Sequence, residues 1–159
     1  RQAYDRETAA MLERFRPDLV LLDGYLYLLT PPMLEAYRNR LINLHFSDLL
    51  IRRADGSPAY AGLRAVRDAI RDGQTETCAT VHLVTEEPDA GPLIARTSPF
   101  PVSPLVARAL EWNATDMFKA YVFAHQEWMI HAASGPLLSA ALDLVASGLV
   151  DLDTLARAT

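Results

Sequence analysis

The stretch "DLVLLDGYLYLLTPPMLEAYRNRLINLHFS", residues 18–47, decides the fold. It opens on an uninterrupted apolar run, Leu19 to Leu22, and such a run predicts a strand covered on both faces. Thr30 is a good helix cap, and Pro31 and Pro32 suit a first helical turn, where a backbone N–H has no intrahelical partner to lose. A helix over "TPPMLEAYRNR" follows. A second apolar strand, Leu41 to Phe46, closes the stretch. Strand, helix and strand in that order predict an α/β fold with a mostly parallel sheet. Ligands in such sheets sit beyond the carboxyl ends of the strands.

The second strand carries two polar residues, Asn43 and His45. Alternate strand residues share a face, so the two side chains point the same way. On an otherwise apolar strand they need partners. They are either hydrogen-bonded core groups or part of a reaction centre, since histidine changes charge near neutral pH. A carboxylate would orient the imidazole. Asp23, Asp48 and Asp89 are the candidates, and spacing does not choose among them.

Upstream, "YDRETAAMLERFRP" places Ala9, Leu12 and Phe15 at helical spacing, and Pro17 ends that helix. Downstream, "RRADGSPAYAG" is a turn-rich loop, and "LRAVRDAIRDG" is an amphipathic helix closed by Gly73. "TCATVHLVT" and "LIARTSPFPV" read as strands on either side of the loop "EEPDAGP". Residues 103–134 read as one long helix, with Ser103 as cap and Pro104 in first place. "GPLLSAALDLVASG" and "DLDTLARA" read as shorter helices, the latter capped by Asp151 and Asp153.

The chain has 159 residues, half of them apolar, which suffices for one domain over 1–159. It begins with Arg1, as a fragment or a processed chain would. The net charge is −5 and the basic residues are scattered, which argues against nucleic-acid binding. The lone cysteine, Cys78, excludes an internal disulfide framework and reads as a buried hydrophobe. "GPLLSAALDLVASGLV" is too short to cross a bilayer and carries Asp143, and no signal peptide opens the chain. A cytoplasmic protein without membrane contact is the expectation. Neither G-x-G-x-x-G, a Walker sequence nor a G-x-S-x-G elbow is present. Glu127 and His131, four apart on a helix, read as an ion pair, because the second histidine of a zinc helix is missing. His82, between Val81 and Leu83, reads as a core or supporting histidine.

Taken together, "PDLVLLDGYLYLLTPPMLEAYRNRLINLHFS", "GLRAVRDAIRDG" and "ATVHLVTEEPDAGPLIA" resemble, in order, segments of the folate-dependent formyltransferase family, most closely its glycinamide ribonucleotide transformylase branch. The likeness runs from about residue 1 to residue 103 and thins beyond it. It implies a three-layer, Rossmann-type α/β domain with a catalytic core at 1–103 and a helical segment at 104–159. It also implies 10-formyltetrahydrofolate as formyl donor, a primary amine on a small phosphorylated or sugar-like acceptor, a place in purine biosynthesis, and no metal. Asn43, His45 and Asp89 match the family's catalytic residues. Gly24, Tyr25, Leu26 and Tyr27 occupy the place of a folate-contacting loop. Val84, Glu86, Glu87 and Asp89 occupy the place of the loop around the pteridine.

The residue types suit the reaction. When an amine attacks the formyl carbon, an oxyanion forms; the Asn43 amide and a protonated His45 would donate hydrogen bonds to it. His45 would also move protons, and Asp89 would hold its ring. Hydrolysis of the formyl donor, or folate binding without turnover, are the alternatives. Three departures stand out: Phe46 follows the histidine where the family has proline, "SDLLIRRADGSPAYAG" is longer than the family's step and lies beside the catalytic strand, and the family's first strands with their phosphate-holding loop have no counterpart here. The long loop is expected to alter acceptor or folate contacts. The aromatic-rich C-terminal helices are a candidate homodimer contact.

Overall fold

In the computed structural model, which describes residues 1–157, the first helix, α1 (Gln2–Glu13), leads into β1 (Val20–Leu22), α2 (Pro31–Ala36) and β2 (Leu41–His45). The two strands are parallel, with Val20 opposite Leu41 and Leu22 opposite Asn43. Next come α3 (Ala65–Arg71), β3 (Glu76–Thr77), β4 (Thr80–Leu83), β5 (Leu93–Arg96) and β6 (Phe100–Pro101). The chain ends in α4 (Leu105–Glu111), α5 (Thr115–Ala146) and α6 (Leu152–Arg157). Ala158, the expected end of the last helix, lies outside the described residues.

The four-stranded sheet has the order β1-β2-β4-β5. Only its β1–β2 pairing is parallel, so the sheet is mixed and not mostly parallel. The cause lies in the connections. Residues 84–92 join β4 to β5, too few for the crossover that a parallel neighbour requires. Residues 46–79 leave and re-enter the sheet at the same end, since His45 pairs with Thr80.

Helices cover both faces. Ile42 and Leu44 pack with Val81 and Leu83, with Val66 and Ile70 of α3, and with Phe118, Val122 and Met129 of α5. Leu41 faces the other way, onto Met33 of α2 and Tyr37 just past its end, with Leu12 of α1 against them. Each fully buried side chain of this size contributes about 1.5–3 kcal/mol. The strand alternation that buries Ile42 and Leu44 also turns Asn43 and His45 toward the α2 side.

The C-terminal helices depart from the expected boundaries. The break falls at Asn113, which is left-handed at φ 53; asparagine tolerates that conformation. Beyond it α5 runs straight through Pro136, where the sequence predicts a boundary. An internal proline costs about 3 kcal/mol, and burial of Ala133, Leu137, Leu138 and Ala141 on either side of it offsets that cost. At 32 residues, α5 is also long and apolar enough to cross a bilayer by length and composition, unlike the shorter segment read from the sequence. One of its faces lies in the core described above. The predicted strand over 93–102 is in two pieces, and β6 leaves the sheet to pair with β3.

Candidate active site

A cavity of about 570 Å³ opens beyond the end of β1 and over the Asn43–His45 side of β2. Its walls are the loop after β1 and the loop after β4, with Gly62, Leu63 and, from α5, Gln126. His45 and Asp89 meet there: Nδ1 stands 3.6 Å from Oδ1. His82 Nε2 stands 3.6 Å from the same oxygen. The second carboxylate oxygen accepts a hydrogen bond of 2.8 Å from the Gly62 N–H.

His82 is 2% exposed and has both ring nitrogens engaged. Its Nδ1 lies 2.9 Å from the Leu83 carbonyl, which can only accept, so Nδ1 carries the proton. In the neutral ring Nε2 is then an acceptor, and the Asn43 amide nitrogen, 3.2 Å away, donates to it. This assignment follows from the network. It fixes the Asn43 amide and leaves its second N–H and its carbonyl for a ligand. At 3.6 Å the Asp89 oxygen is beyond hydrogen-bond distance of Nε2, and the Asn43 contact is the shorter of the two. His45 Nε2 is buried and has no hydrogen-bond partner among the described residues. A buried ring nitrogen without a partner at a cavity wall is a place for a ligand atom.

Burial pushes the His45 pKa below its usual value; the Asp89 charge pulls it up without overcoming burial, and His82 lowers it further. Burial also acts to raise Asp89, but the neighbouring His82 ring, the nearby His45 and the Gly62 N–H outweigh it and bring it down to about 2. At neutral pH the pair is therefore an ionised carboxylate beside a neutral imidazole.

The loop that delivers Asp89 folds tightly back on β4. Asp89 is left-handed, at φ 55. The Leu83 N–H donates to the Pro92 carbonyl at 2.9 Å. At Gly91 a Cβ would come within 1.8 Å of the Leu83 carbonyl oxygen, so only glycine fits this crossing.

Of the residues singled out from the sequence, Asn43, His45, Asp89, Gly24, Tyr25, Leu26, Tyr27, Val84 and Glu86 all line the cavity; Glu87 does not. Among the three candidate carboxylates, Asp89 reaches His45. Asp48 instead forms a 2.6 Å ion pair with Arg96, and Asp23 is exposed. Glu127 and His131 form a surface ion pair at 3.6 Å, and Cys78 is buried. Of the longer loop, residues 47–62, Gly62 lines the cavity and residues 48–59 do not. They form a small hairpin, bridged at Arg52 and Pro58, whose Ile51 and Ala59 pack beside α3. Only its exit, at Gly62, touches the site. Gln126 was not singled out, because nothing in an apolar helix marks which polar residue faces a cavity. Among the described residues no group of three or more His, Cys, Asp or Glu stands ready to hold a metal.

Residues 1–106 match the formyl transferase family. Phosphoribosylglycinamide formyltransferase of Escherichia coli (strain K12) is 39% identical over 94 residues, covering 59% of this chain and 41% of that protein. Formyltetrahydrofolate deformylase of the same organism is 33% identical over 94 residues, covering 59% and 31%. The crystal structure of glycinamide ribonucleotide transformylase 1 from Symbiobacterium toebii superposes with a TM-score of 0.58 at 33% identity, over 81% of this chain and 56% of that one. The chain thus spans about two fifths of the length of the Escherichia coli transferase.

Proposed function

The chain belongs to the formyl transferase family, and from that premise we propose that it transfers a formyl group from 10-formyltetrahydrofolate to the primary amine of a small acceptor, as a step of purine biosynthesis. The observation that carries this reading is the His45–Asp89 pair beside Asn43, with His45 Nε2 buried and unpartnered at the cavity wall.

Each residue has a task set by its state. Neutral His45 takes the proton that the attacking amine must lose. The imidazolium so formed lies beside ionised Asp89, which stabilises it. The free N–H of Asn43 and the new charge on His45 then donate to the oxygen where negative charge develops. The same imidazolium returns its proton to the departing folate nitrogen. The exposed run Leu26, Tyr27 and Leu28 offers an apolar and aromatic wall for a flat ring system. The acceptor we infer is phosphorylated and sugar-like, as in the substrate named for the transferase relatives.

The likeness to a deformylase supports a second reading, in which water replaces the amine. One incubation separates the two. With 10-formyltetrahydrofolate and glycinamide ribonucleotide, transfer yields formylated amine and no formate, and it stops when the amine is omitted. Formate released at an undiminished rate without amine identifies the hydrolase. Full activity of both His45→Ala and Asp89→Asn would remove the proposed site from either reaction.

A further inference from the structure

Asp5 lies in α1, outside the cavity, yet it is 0% exposed. A carboxylate withdrawn from water requires strong compensation. Its Oδ2 accepts two hydrogen bonds from Thr30, from the backbone N–H at 2.7 Å and from the hydroxyl at 2.6 Å. Its Oδ1 makes no hydrogen bond, and the Arg1 guanidinium at 3.2 Å faces it. That guanidinium also hydrogen-bonds the Tyr25 hydroxyl and stands over the rings of Tyr25 and Tyr27, 5.4 and 4.8 Å from their centres. Thr30 would ordinarily cap α2 with its hydroxyl, but it makes no such bond here because the hydroxyl is turned to Asp5.

One carboxylate therefore grips both parts of a single loop: its end through Thr30, and its two tyrosines through Arg1. That loop, Gly24 to Leu29, is the cavity wall. Leu26, Tyr27 and Leu28 at its crest are 64%, 68% and 66% exposed, so packing of their own does not fix them. We propose that Asp5 is the positioning residue of this wall, holding the loop in the conformation that receives the folate substrate. The inference rests on the proposed function, since it takes the cavity to bind a formyl-folate.

The test compares Asp5→Asn, Thr30→Ala and Thr30→Ser with the wild-type chain. Asp5→Asn keeps the shape and removes the charge. Thr30→Ala removes the hydroxyl, and Thr30→Ser restores it. Binding of 5-formyltetrahydrofolate, a non-reactive probe, is followed by protein fluorescence, alongside donor KM, kcat and the melting temperature. Asp5→Asn and Thr30→Ala should weaken probe binding and raise donor KM on the order of ten-fold, with kcat held within about two-fold. Thr30→Ser should bind like the wild type. Lower melting temperatures with unchanged probe binding would make Asp5 a structural residue only and overturn the inference, as would a fall in kcat at constant KM. If Asp5→Asn does not fold, the Thr30→Ala and Thr30→Ser pair decides by the same readings. A wild-type chain that binds no folate overturns the proposed function and this inference with it; wild-type binding matched by the variants overturns this inference alone.

Discussion

Replacing Asp89 with asparagine isolates one charge. Asparagine has the same shape, tolerates the left-handed backbone at φ 55, and keeps an oxygen for the Gly62 N–H. The carboxyl pKa of about 2, against an ordinary 3.8, makes ionised Asp89 worth about 2 kcal/mol of folding stability at neutral pH. Its side chain is 14% exposed, so screening takes little of this. The folded-state pKa lies below the unfolded one, so the stabilisation is present above about pH 4 and lost as pH falls toward 2. Between pH 4 and pH 2 the wild type should lose on the order of 2 kcal/mol more than Asp89→Asn. Urea unfolding at a series of pH values reads this difference. Parallel stability curves for the two proteins would refute the reasoning, because they would mean the folded protein does not favour ionised Asp89. At pH 7 the variant should also transfer formyl groups about 100-fold more slowly or worse.

Three further outcomes follow from the same geometry. His45→Ala should lower kcat by about 10²–10⁴-fold, and because burial depresses the His45 pKa, wild-type kcat/KM should fall only as pH drops below about 6.5; a pH–rate series shows whether the limb lies there or on the alkaline side. Asn43→Ala removes an oxyanion donor and should cost about 10²–10³ in kcat with donor KM little changed, as steady-state kinetics would report. Gly91→Ala should destabilise the fold by about 3 kcal/mol or more in denaturant unfolding, since its Cβ would strike the Leu83 carbonyl; wild-type stability there would contradict the path of the loop over β4.

The local signals in the sequence proved the more readable ones. Apolar runs and period-two alternation gave β1 and β2 and put Asn43 and His45 on one face. Gly73 marks the end of α3 as expected, and the Asp151 side chain accepts the Thr154 N–H at the last helix. What depends on distant contacts was not readable. Strand direction is set by how connections close in space, so the mixed sheet could not be seen in any single strand. Propensity alone breaks a helix at Pro136, whereas the core on both sides of it carries α5 through. The choice of Asp89 over Asp23 and Asp48 came from family likeness; in the folded chain a turn of loop brings it to His45, while Arg96 draws Asp48 away. The apolar strand around His82 marks it as a core or supporting histidine, but its link to Asn43 is a cross-strand pairing that needs the β2–β4 register.

The hairpin at 48–59 has a practical consequence. Asp48 is moored to Arg96 at its entrance and Tyr60 is buried at its exit, while the tip around Gly56 is exposed and is not part of the cavity wall. Lengthening a loop between fixed ends costs little, growing only with the logarithm of its length. The tip is thus an attachment port: an epitope or a dye-bearing residue spliced there would report on the molecule from outside, so long as the moorings on either side are left in place.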